Sequence, residues 1–135
     1  MSFQLHPRLE QDCITIGRFE LCRLLMMNDS QYPWFILVPE RAGLQEIYQL
    51  SKTERELLIE ESSYLAENLA NLYQADKMNI AAIGNLVPQL HIHHIVRYQT
   101  DKAWPAPVWG KFAAEPYTEQ QITENLARVK EQLKI

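Results

Sequence analysis
The chain has 135 residues, 47% of them hydrophobic and 22% charged, the balance of a single ordinary globular domain spanning residues 1–135. Its formal net charge is -4 and no Lys/Arg cluster stands out, which argues against binding long nucleic acid by its backbone but leaves one nucleotide, held by a few local donors, open. No apolar run approaches the ~20 residues of a membrane span, and Met1–Glu10 lacks the apolar stretch of a secretory signal.

Cys13 and Cys22 lie in apolar-rich segments and read as two reduced thiols of a cytoplasmic protein, rather than a disulfide or a zinc pair. Cys13–Phe19 alternates around Ile14 and Ile16, and Leu21–Met27 is a short apolar run; both read as strands. Asn28-Asp29-Ser30 is turn chemistry, and Trp34–Val38, closed by Pro39, completes a hairpin. Ser51-Lys52-Thr53-Glu54 matches a capping box, in which the serine hydroxyl and the glutamate carboxylate each satisfy a free backbone amide. A long helix should follow and end near Gln74. Leu58, Leu65, Leu69 and Leu72 form its apolar stripe; Glu60, Glu61 and Glu67 lie off it and read as a solvated face.

Lys77–Ile83 reads as a strand, Gly84-Asn85 as a bend and Leu86–Tyr98 as a further strand. Thr100–Gly110 holds Trp104, Pro105, Pro107 and Trp109, and should be a loop with some packed structure. Thr118-Glu119-Gln120-Gln121 is a second capping box, and Ile122, Leu126, Val129 and Leu133 then mark a C-terminal amphipathic helix. Strands, a helix and strands again, without a repeated βαβ rhythm, predict an α+β fold with an antiparallel sheet.

Three of the four histidines fall within His91-Ile92-His93-His94. Side chains alternate along a strand, so Gln89, His91, His93, Ile95 and Arg97 share one face. Leu90, Ile92, His94 and Val96 share the other, which is mostly apolar and is the expected core face. His94 is expected there, bonded to a helix or backbone group. Two imidazoles roughly 7 Å apart along a strand can touch one phosphate from adjacent sides. A neutral imidazole is a good nucleophile near pH 7, and Gln89 adds an uncharged donor and acceptor. Arg97 lies too far along to share that phosphate oxygen and reads as a surface charge or a salt-bridge partner. A zinc hydrolase is the rival chemistry, but no third ligand is indicated and no Asp follows His93.

Gln89-Leu90-His91-Ile92-His93-His94-Ile95-Val96 resembles the histidine triad (HIT) motif, His-φ-His-φ-His-φ-φ, with glutamine where the first histidine belongs. The hairpin closing in Pro39, the long helix, the Gly84-Asn85 bend and the histidine strand follow in that family's order, over roughly Ile14–Arg97. The resemblance implies a HIT-like homodimer binding a purine nucleotide or nucleotide conjugate. It implies hydrolysis or transfer at the α-phosphate of dinucleoside polyphosphates or phosphoramidates, without a cofactor or metal. His91 would be the nucleophile and His93 a phosphate contact, with Gln89 in support. Asn28 or Asp29 would contact the ribose, and Asn79 and Asn85 the phosphate. The Trp104–Gly110 segment would close over the base, join the dimer contact or simply pack. Glutamine cannot donate a proton as an imidazolium can, so a nucleotide-binding module with little turnover is the alternative.

Overall fold
The structure, a computed structural model, describes residues 2–135. Strands β1 (Cys13–Arg18), β2 (Cys22–Met27), β3 (Trp34–Pro39), β4 (Lys77–Ala81) and β5 (Ile92–Arg97) form one sheet in the order β1-β2-β3-β5-β4. Every neighbouring pair is antiparallel. Three helices accompany it: α1 (Pro7–Asp12), α2 (Lys52–Tyr73) and α3 (Glu119–Leu133), with a 3-10 turn at Ile47–Gln49. The expected α+β class with a long central and a C-terminal helix is therefore observed.

Both capping boxes form. The Glu54 amide donates to Ser51 Oγ (3.1 Å) and the Ser51 amide to Glu54 Oε1 (2.9 Å); Thr118 and Gln121 repeat the exchange on α3. Gln74 ends α2 in a left-handed conformation at φ 53°. Leu58, Leu65 and Leu69 of α2, Val129 and Leu133 of α3, and Leu24, Leu37, Ile92 and Val96 of the sheet share one core. Burying such a side chain contributes roughly 1.5–3 kcal/mol, so this layer fixes the orientation of β5.

The structure corrects several expectations. β5 starts at Ile92, not Leu86, and β4 ends at Ala81, not Ile83. Pro88 has no N–H to give a ladder, and the chain instead ties down by Leu90 N–H to the Leu44 carbonyl (2.9 Å). Glu61 is not on a solvated face. It is 7% exposed and accepts from the amides of Leu21 (2.8 Å) and Cys22 (3.0 Å), two donors that lack a strand partner. The sequence reading has no place for α1; Pro7 at its first turn is the signal for it.

The second face of the sheet is also buried. Leu25, Ile36, Val38 and Ile95 pack there beneath Leu9 of α1 and Ala103 and Val108 of the 100–110 segment. Arg97 lies under that segment at 1% exposure, so it is no surface charge. It pairs with Asp101 (2.8 and 3.1 Å) and donates to Asn79 Oδ1 (2.8 Å) and the Ala106 carbonyl (2.8 Å). Asp101 in turn accepts from the amides of Tyr98, Ala103 and Trp104. One buried ion pair thus folds the strap that carries Trp109. Both cysteines are free, and burial pushes the Cys13 thiol up to about 12 and the Cys22 thiol higher still.

Candidate active site
Alternation along the chain separates the three adjacent histidines, and each ring is held by different partners. His94 faces the core. Its Nδ1–H donates to the Ile92 carbonyl (3.0 Å), and Nε2 accepts from the Ser62 hydroxyl of α2 (2.7 Å). It is a bonded core histidine, with its pKa pushed down to about 4 by burial.

His91 and His93 face the other way, their ring centroids 4.9 Å apart and their planes at 67°. His91 Nδ1 lies 2.7 Å from the Gln89 carbonyl. A carbonyl only accepts, so Nδ1 carries the proton and the lone pair sits on Nε2. His93 has the opposite tautomer. The Trp34 indole, which can only donate, bonds His93 Nδ1 at 2.9 Å, so its proton sits on Nε2. Burial lowers the pKa of His91 and pushes that of His93 down to about 3, so both rings are neutral at pH 7. The pair presents a lone pair from one ring and an N–H from its neighbour.

Both histidines line a cleft of about 400 Å³ together with Arg8, Met27, Trp34, Trp109 and the Ile83–Val87 segment. Trp109 stands edge-on to His93 at 5.2 Å and to Trp34 at 6.0 Å. Gly84, at φ 69°, turns the chain there in a conformation that favours glycine. Among the described residues the amides of Gly84, Asn85, Leu86 and Val87 have no hydrogen-bond partner, and these four residues line the cleft with the imidazoles. A second cleft of about 740 Å³ shares His91, Ile83 and Gly84 with the first, and adds Glu46, Tyr48 and Arg55.

Of the expected site residues, His91, His93 and Asn85 line the first cleft; the others are engaged elsewhere. Gln89 turns its side chain to the N-terminal segment, accepting from the His6 amide (2.8 Å) and donating to the Gln4 carbonyl (2.9 Å). Its backbone, not its amide, serves His91. Asn28 Oδ1 accepts from the Tyr117 amide (2.9 Å), and Asp29 accepts from the amides of Gln31 and Glu115. They anchor the segment that leads into α3, and neither lines the cleft. Asn79 holds Arg97.

Trp34, Met27 and Arg8 are cleft residues that the sequence reading misses, whereas Trp109 belongs to the Trp104–Gly110 segment expected to close over the base, join the dimer contact or pack. Trp34 has a signal: a buried indole N–H needs an acceptor. The β3–β5 register sets Ile36 opposite His93, and so puts Trp34 two residues along on the same face. Among the described residues no three His, Cys, Asp or Glu side chains converge as metal ligands.

The HIT domain family matches residues 8–100 of the chain. No curated protein matches it. Three solved structures are similar over nearly its whole length. A histidine triad protein from Marinobacter aquaeolei VT8 is 51% identical with a TM-score of 0.97, covering 99% of this chain and 98% of that one. A histidine triad (HIT) protein from Sinorhizobium meliloti 1021 is 43% identical (TM-score 0.94, 96% of each chain). A histidine triad protein from Bradyrhizobium japonicum is 38% identical (TM-score 0.96, 98% of this chain and 99% of that one). With the motif, the sheet order and these likenesses in agreement, this chain belongs to the HIT-domain family.

Proposed function
We propose that the protein hydrolyses or transfers a nucleoside monophosphate from a purine nucleotide conjugate through a nucleotidyl intermediate on His91. The observation that carries this reading is the opposed tautomers of His91 and His93 in one cleft. His91 Nε2 attacks the α-phosphorus; a P–N bond forms, and the bond to the leaving group breaks with its electron pair leaving on that group. Positive charge grows on the His91 ring as the bond forms, and the Gln89 carbonyl on Nδ1–H offsets it. The His93 Nε2–H and the free amides of Gly84–Val87 donate to the non-bridging oxygens, where negative charge gathers. Water then attacks the same phosphorus, the P–N bond breaks, and the water's proton passes to solvent.

Trp34, Met27 and Trp109 offer the flat apolar walls that a purine base needs, and Asn85 a polar contact at the phosphate. The same reading includes a homodimer through β4, which ends the sheet with Ile80 49% exposed, and residence in the cytoplasm.

The test is AMP release from adenosine phosphoramidate and diadenosine tetraphosphate by wild type and His91→Ala, with chelator present. Release by wild type, lowered at least about 10³-fold in the variant, is the expected result. AMP binding without release from either substrate would instead make the chain a binding module, and loss of release on chelation would point to metal chemistry.

A further inference from the structure
The order of the strands gives the cleft that holds both histidines a direction. His91 leads into β5 and His93 lies on it; Trp34 sits on the neighbouring β3, and Met27 on β2 beyond that. Two strand spacings, roughly 10 Å, separate β5 from β2. With the phosphoryl group at the imidazoles, the base lies over Trp34 and Met27, and its far edge points past β2. The helix α1 closes that end. The amide of Asn28, next to Met27, donates to the Asp12 carbonyl at the end of α1 (3.0 Å), and Cys13 pairs with Met27 in the β1–β2 register. The start of α1 is tied as well. The Gln89 side chain bonds the His6 amide and the Gln4 carbonyl, and His6 Nδ1 accepts from the Arg8 amide (3.0 Å). Arg8 is thereby set at the base end of the cleft. It is the one charged side chain among the described lining residues, because both histidines are neutral. Its Nε donates to Asp12 Oδ2 (3.2 Å), while Nη1 and Nη2 have no partner among the described residues. The Asp12 carboxylate holds one edge of the guanidinium and leaves two donors side by side.

From this placement, and resting on the nucleotide reading above, we infer that Arg8 selects the base and that the preferred nucleotide carries guanine. Guanine presents two acceptors side by side, O6 and N7, and the free fork of a guanidinium meets both at once. Adenine has an N6 amino group where guanine has O6. That donor would face an Arg8 donor, so one of the two bonds is lost and nothing replaces it. Trp34 and Met27 cannot make this distinction, because a flat apolar wall stacks either purine. The substrate class is then a guanosine 5′-phosphate conjugate, with phosphate chemistry at β5 and base selection by a residue of the N-terminal helix.

The experiment is calorimetric titration of wild type, Arg8→Ala and Arg8→Lys with GMP, AMP and IMP at one salt concentration. Arg8 is 59% exposed at its side chain, so its replacement leaves the core intact, and the ratio of two affinities in one variant does not depend on the fraction folded. Wild type should bind GMP about tenfold more tightly than AMP, the discrimination one bidentate arginine–guanine pair supplies. IMP, which keeps O6 and N7 but lacks the 2-amino group, should bind like GMP. Arg8→Ala should bring the GMP:AMP ratio to about one. Arg8→Lys, which keeps the charge but loses the fork, should lose most of the preference too. Equal binding of GMP and AMP by wild type would overturn the inference. So would IMP binding like AMP, or Arg8→Ala weakening GMP and AMP by the same factor, which is the mark of a phosphate contact. A GMP preference without release of nucleotide from guanosine or adenosine phosphoramidate would sink the nucleotidyl-histidine step alone and uphold the base assignment. Failure of all three nucleotides to bind would overturn both.

Discussion
Trp34 of β3 donates its indole N–H to Nδ1 of His93 on β5, at 2.9 Å, and so decides which nitrogen of that histidine faces the cleft. The bond costs nothing to reorganise during a reaction, because both residues sit on the same buried face of the sheet. Trp34→Phe keeps the apolar ring and removes only the donor. The buried Nδ1 is then unsatisfied, at a cost of about 1–3 kcal/mol in chemical denaturation. The ring is also free to take a proton on Nδ1, so the His93 pKa should rise from about 3 when followed by NMR. AMP release should fall about tenfold or more as the Nε2–H loses its fixed aim.

Acid stability follows from the same burial. His93 and His94 are held neutral, with folded pKa values pushed down to about 3 and about 4 from an ordinary 6.5. Above pH 6.5 both states are neutral and the histidines contribute no pH dependence. Below it the unfolded chain takes up protons that the folded chain refuses, so stability falls as pH drops through the window from about 6.5 to about 4. The slope is at most about 1.4 kcal/mol per pH unit for each histidine. Urea denaturation between pH 4 and 8 measures it. His94→Gln should remove about half of this slope, and a stability independent of pH between 4.5 and 6.5 would contradict the account.

The Arg97–Asp101 pair is 1% and 4% exposed at the side chains, and it also holds the amides of Tyr98, Ala103 and Trp104 and the Ala106 carbonyl of the 98–106 strap. Asp101→Ala strands a buried guanidinium and should cost about 3–5 kcal/mol. Trp109 rides on that strap, so its fluorescence should report loosening before the sheet unfolds.

Glu61 and Glu60 are neighbours with opposite fates. Glu61→Ala leaves the buried Leu21 and Cys22 amides without an acceptor, and a loss of about 2–4 kcal/mol is expected. Glu60→Ala, on the exposed side of α2, should stay within about 0.5 kcal/mol. Equal effects of the two would show that Glu61 does not hold the start of β2.

What the sequence makes legible is what local rules govern. Ser51 and Glu54 lie three residues apart, Leu58, Leu65 and Leu69 repeat along one helix face, and side-chain alternation sends His94 away from His91 and His93. These follow from backbone geometry alone. Gln89, Asp29, Asn79 and Glu61 are illegible because each has a partner far along the chain: His6 lies 83 residues from Gln89, and Glu115 lies 86 from Asp29. A polar residue near a motif reads as a ligand contact until the fold shows a backbone amide that needs it more. Pro88 is a local signal in the same stretch: it starts β5 after His91 rather than before it. Arg8 reaches the cleft only because α1 is packed there, and nothing in residues 6–9 announces that contact.

The central claim is that His91 carries the nucleotidyl group, and the stereochemical course at phosphorus tests it most directly. A diadenosine polyphosphate with a chiral α-phosphorothioate is hydrolysed in ¹⁸O-water, and the configuration of the released thio-AMP is determined. Two successive in-line displacements, first by His91 and then by water, each invert the phosphorus, so the account predicts net retention. Net inversion would mean that water attacks directly, and would contradict it.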